Sequence, residues 1–172
     1  MHLMAIMLHI VTIGIFYRPN YDTMCQRVHN SDDLNYYIDT YIEYKDDYVY
    51  EDMGVNCTAL EFIDCQWIPA DLVWERGKDD CEGYAVLVYE VLSKIGYDCE
   101  IIDLYDHVVC KFEKKDKING DDVGFFSSGA LYKGTYSIED IADAYDVEEY
   151  GIFDWKEVRN DMLNIGLGDT RF

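Results

Sequence analysis

The stretch from Cys81 to Gly96 limits the possible folds more than any other part of the chain. Tyr84, Ala85, Leu87, Val88, Val91, Leu92 and Ile95 form a broad apolar stripe at helical spacing, and Gly96 stands where a helix would stop. The spacing predicts one dominant helix that needs an apolar surface to lie on. Immediately downstream, Cys99, Ile101 and the run from His107 to Phe112 alternate in the manner of strands. A charged turn follows from Lys114 to Asp122, and then a second strand near Val123 to Ser127. A helix followed by an antiparallel hairpin is an α+β arrangement, with the helix packed on a small sheet.

The flanking sequence adds further elements. Ser31-Asp32-Asp33-Leu34 reads as a capped helix start, with Leu34, Tyr37, Ile38, Tyr41 and Ile42 on one face. Lys45 to Trp74 has no clear period and is expected to be mostly loop. Ser137 with Asp140, and Asp154 with Glu157, have capping-box spacing and predict two later helices. With 172 residues, two prolines and no repeat or linker, the chain is expected to form a single domain, its core spanning about 21–131 and a helical extension 132–172.

Charge and cysteine spacing exclude several functions. The 35 acidic residues against 14 Lys and Arg give a net charge of -21, which repels phosphate backbones and argues against nucleic acid as a partner. The six cysteines include no CxxC pair, so neither a structural metal nor a cofactor is expected. Cys99 and Cys110 read as small buried residues, and spread-out free thiols suit a reducing, cytoplasmic setting. The apolar run from Leu3 to Tyr17 is shorter than the ~20 residues that span a bilayer and has no basic flank, so it reads as a core segment, with an uncleaved signal or membrane anchor as the alternative, and stable membrane insertion is not expected.

The chemistry concentrates where a polar loop enters the main helix. Glu75-Arg76-Gly77-Lys78-Asp79-Asp80-Cys81 places a thiol at the first turn, where unsatisfied N-H groups and the helix dipole favour thiolate and a backbone N-H can face an oxyanion. Asp79, Asp80 and Glu82 oppose a further anion, so the thiol needs a base. His107 opens a strand after the helix and is the candidate.

Asp80-Cys81-Glu82-Gly83-Tyr84-Ala85, Gly96-Tyr97 at the helix end, and Asp106-His107-Val108-Val109-Cys110 together resemble the core of the transglutaminase-like superfamily of papain-like thiol enzymes. The likeness covers roughly Tyr21 to Leu131. It implies a nucleophile helix, here carrying Cys81, packed on a sheet that carries His107 and then an acidic or amide residue. It also implies amide or peptide acyl transfer on a protein or peptide substrate, with catalytically silent relatives as the alternative. The chain departs from the family pattern in having Asp79 where a glycine commonly stands and Val109 where an aromatic is common.

The third residue departs further. The next strand offers Ser127 and Ser128 in place of Asp or Asn, while Asp121 and Asp122 sit near the hairpin tip, about 16 Å away at ~3.3 Å per residue. A tight Asn119-Gly120 turn would instead put residue 132 opposite His107. The long loop is preferred because Lys114, Lys115, Asp116 and Lys117 are poor strand residues. Gln66 and Trp74 are candidate side-chain donors to an oxyanion.

Overall fold

The computed structural model describes residues 17–45, 67–116 and 120–156. Its organising element is helix α4, Cys81–Lys94, reached through α1 (Tyr21–Arg27), α2 (Ser31–Tyr41), β1 (Glu43–Tyr44), α3 (Ala70–Arg76) and β2 (Lys78–Asp79). Asp80 caps α4 by accepting from the Gly83 amide. Every residue from Gly83 to Leu92 is buried, so this helix is enclosed rather than amphipathic. It ends where Gly96 takes φ of 87° and the Tyr97 amide returns to the Leu92 carbonyl.

One face of α4 lies on a five-stranded antiparallel sheet. The strands are β3 (Asp98–Asp103), β4 (Val108–Lys114), β5 (Asp122–Ser127), β6 (Ala130–Lys133) and β7 (Gly151–Phe153), in the spatial order β6-β5-β4-β3-β7. Alternation sorts the side chains into two layers. Ile101, Val108, Cys110, Phe112 and Phe126 join the cluster around α4, while Ile102, Val109 and Phe125 join a second cluster with Ile141 and Ala142 of α5 (Ile138–Ala144). The architecture is thus α+β with a small antiparallel sheet, its α4 face carrying the larger core.

The β4–β5 connection is long. Lys114 pairs with Asp122 and Val109 with Ser127, which brings the serine end of β5 beside the start of β4 and leaves Asp122 at the far end. Ser128 and Gly129, both at positive φ, form the two-residue turn into β6, the mirror-image turn that suits the sheet's twist.

Several expectations need correction. The cap of α2 is Asn30, whose side chain accepts from the Asp33 amide, because Ser31 is used elsewhere. Within the stretch read as loop, Ala70–Arg76 is a helix; seven residues with three buried positions are too short to show a period. The segment read as a helical extension does contain α5, with both halves of the Ser137–Asp140 capping box, but it also supplies β6 and β7 to the sheet. Asp154 accepts from the Lys156 amide, and Glu157 lies outside the described residues, as do 46–66 and all of the apolar N-terminal run except Tyr17. Among the described residues no helix is long and apolar enough to cross a membrane, and no group of His, Cys, Asp and Glu is arranged to hold a metal ion.

The far end of the sheet is tied by one carboxylate. Asp122 accepts from the Ser31 amide and hydroxyl, from Tyr97 at 2.6 Å and from Lys133, which also pairs with Asp32. Burial alone would raise the Asp122 pKa, but the donors from Lys133, Tyr97 and Ser31 outweigh it and bring it down to about 2. A carboxylate depressed in the folded state stabilises the protein above its unfolded pKa of ~3.9, and that contribution fades as pH falls toward 2. Replacing Asp122 by Asn is expected to cost about 1–3 kcal/mol in urea unfolding at neutral pH. The difference from wild type should shrink between about pH 4 and pH 2.

Candidate functional site

The approach to Cys81 is held from both sides. Gly77 closes α3 at φ of 71°, its carbonyl accepts from the Glu43 amide, and β2 runs parallel to β1 with Tyr44 opposite Asp79. Asp79 then folds back, with Oδ1 accepting from the Asp80 amide, and lies over Gly83 so closely that a Cβ there would come 2.3 Å from the Asp79 carboxyl carbon. This explains two residues of the motif together. Asp79 occupies the position where a glycine was expected, and Gly83 provides the room for its side chain.

Cys81 is the first residue of α4 and is 8% exposed. Its Sγ donates to Glu82 Oε2 at 3.0 Å. The Asp80 carboxylate is buried as well; one oxygen caps the helix and the other has no hydrogen-bond partner. The helix N-terminus favours an anionic sulfur, while carboxylates at Asp79, Asp80 and Glu82 oppose it. The 3.0 Å contact with Glu82 is one in which a thiol, and not a thiolate, can serve as donor.

His107 comes from a tight β3–β4 connection. Tyr105 sits at φ of 76° with its amide on the Asp103 carboxylate, and the Leu104 amide donates to the His107 carbonyl at 2.7 Å. The imidazole Nε2 lies 2.8 Å from Ser127 Oγ, and the ring stacks on Tyr145 at 5.1 Å between centroids. Burial lowers the His107 pKa, with the neighbouring Asp106 acting in the opposite direction. Ser127 is therefore the hydroxyl that meets His107. Ser128, at φ of 46°, is the first residue of the β5–β6 turn.

Cys81 and His107 flank the same end of the sheet. At that end Gly129 packs so tightly on the Tyr84 ring, one turn into α4, that a Cβ would come within 2.6 Å of it. At the opposite end Lys114 donates to the Ile95 carbonyl just past the helix. Helix and β4 therefore run in the same direction, and the thiol and the imidazole stand at the head of each. They approach from different sides: Cys81 belongs to the α4 cluster, while the His107 ring lies against Tyr145, which packs on the α5 side. The hydrogen bond of the imidazole runs to Ser127, and that of the thiol to Glu82.

Of the two oxyanion candidates, Gln66 lies outside the described residues, and Trp74 is corrected. Trp74 is 1% exposed, its Nε1 donates to the Pro19 carbonyl at 2.8 Å, and its ring is enclosed by Arg18, Tyr37 and Tyr41. Its donor is fully used in holding the N-terminal segment. Two residues with direct bearing on the site were not singled out as partners. Glu82 reads in the sequence only as a charge, and Tyr145 is one of sixteen tyrosines in a segment without a motif. No protein-family model and no curated protein matches the chain.

Glu82 opposes loss of the Cys81 proton by about 1 kcal/mol at this separation in water-like surroundings. Glu82→Gln should therefore speed iodoacetamide labelling of Cys81 several-fold at neutral pH, read by peptide mapping. An unchanged rate would show that the carboxylate does not restrain the thiol.

Proposed function

We propose that this chain is a transglutaminase-like thiol enzyme with a papain-like core, cleaving amide bonds in proteins or peptides through Cys81 and His107. The observation that carries this reading is the shared placement at one end of the sheet. Cys81 heads the enclosed helix, and His107 heads the neighbouring strand with its imidazole held by a side chain of the next strand. In the reaction, His107 takes the thiol proton as Sγ attacks the carbonyl carbon. The C-N bond then breaks as the same proton passes to the leaving amine, and water hydrolyses the thioester to free acid and thiol. A peptide segment rich in Lys or Arg suits the -21 net charge.

The second reading, a catalytically silent binding domain on the same scaffold, is favoured by a specific observation. Cys81 is buried and hydrogen-bonded to Glu82, and a hydroxyl stands where an acidic or amide orienter would be. Iodoacetamide titration of wild type, Cys81→Ser and His107→Ala separates the two. The enzymatic reading expects preferential labelling at Cys81 and a drop of about tenfold or more in His107→Ala. Preferential labelling of another cysteine, or a rate indifferent to His107, would establish the silent domain.

A further inference from the structure

The imidazole of His107 is the end of a chain of three side chains drawn from three elements. Ser127 Oγ is 2.8 Å from His107 Nε2 and 2.5 Å from Tyr145 OH, and the Tyr145 ring is stacked on the imidazole. Ser127 is 8% exposed, so water does not substitute freely for either neighbour. We propose that Tyr145 is a positioning residue which, through Ser127, decides which ring nitrogen of His107 carries the proton and thereby holds the site at rest. This rests on the reading of His107 as the base for Cys81.

The direction of the chain follows from acidity. A phenol, with an ordinary pKa of ~10, is a much stronger acid than an aliphatic hydroxyl, so in the short Tyr145–Ser127 contact the phenol donates. Ser127 then has its own proton to give, and His107 Nε2 receives it. An imidazole that accepts at Nε2 and is neutral carries its proton on Nδ1. A carboxylate in place of Ser127 would impose the opposite arrangement, because it only accepts; it would demand N-H at Nε2 and stabilise imidazolium.

The hydroxyl pair thus reverses the polarity of the usual orienter and leaves neither ring nitrogen ready for the thiol proton. The Cys81 end agrees, since the 3.0 Å contact of the sulfur with Glu82 is one that a thiol makes as donor. Tyr145 from the C-terminal end of α5 and Asp106 on the strand connection are the titratable groups on the page that face the ring, and only Asp106 favours its charged form. Release requires the Ser127 hydroxyl to turn toward the phenol oxygen, after which Ser127 accepts from Nε2-H and Nδ1 is free to take a proton.

The test is long-range proton–nitrogen NMR of the full chain labelled with 15N-histidine, which reads each ring nitrogen directly. Wild type should show His107 protonated on Nδ1 and bare at Nε2 near neutral pH. Tyr145→Phe keeps the ring stack but removes the donor; the tautomer should move toward Nε2-H, and the titration midpoint should rise by about 0.5–1 pH unit. Ser127→Thr, which keeps a hydroxyl, should behave as wild type. A wild-type proton on Nε2, or a Tyr145→Phe protein that keeps the wild-type tautomer and midpoint, would overturn the proposal. Iodoacetamide labelling of the same samples is the separate arm. Faster labelling of Cys81 in Tyr145→Phe supports both the relay and the thiol–base pair. A shifted tautomer with unchanged labelling upholds the relay and rejects His107 as the base for Cys81.

Discussion

Enclosing a helix on nearly all sides leaves its two ends as the places where polar groups must be satisfied, and in this protein those ends set the positions of the other elements. Asp80 closes the start of α4, while the Tyr97 amide and the Lys114 ammonium meet the carbonyls at its finish. The apolar body between them fixes how deep the helix lies but not its position along its own axis. Tyr84 against Gly129 at one end and Lys114 at the other supply that missing coordinate. Once the axis is fixed, the start of α4 lies at the same end of the sheet as the head of β4.

The polar groups of the site have a shared logic. Cys81 is buried and His107 half-buried, and neither is given an activating neighbour: the thiol has a carboxylate acceptor, the imidazole a hydroxyl. Burial lowers the pKa of His107, and a neutral imidazole is the form that costs less desolvation there. Compare Asp122 at the other end of the same sheet, where several donors including Lys133 converge and the charge is held outright. One end of the sheet is built around an ion pair, the other around a thiol and an imidazole whose hydrogen bonds run to Glu82 and Ser127.

How much of this was legible follows the range of each interaction. The helix from Cys81 was readable because its period and its stop both lie within sixteen residues. The hairpin register was readable because lysines make poor strand residues, which lengthened the loop and brought Ser127 to the head of β4. What failed to show was long-range. Ser31 looks like a helix cap by residue type, but its hydroxyl serves Asp122 across 91 positions, and Asn30 caps instead. Trp74 looks like a free donor until Pro19 folds beneath it. Tyr145 carries no local signature, and only the packing of α5 on the sheet gives it a partner.

Glu90 sits in the middle of the enclosed helix, and its carboxylate takes the Trp155 indole N-H at 2.9 Å. Tyr89 beside it reaches Asp154 in the same way. The larger core cluster therefore surrounds a carboxyl group whose indole donor is encoded 65 residues later, after every strand of the sheet. The same carboxyl group also accepts from the Tyr21 hydroxyl and lies 4.0 Å from the Lys94 ammonium, so partners from before, within and after the helix converge on it. Loss of the buried Trp155 side chain would therefore be felt at the centre of α4, which makes the start of the segment after β7 part of the core rather than an appendage.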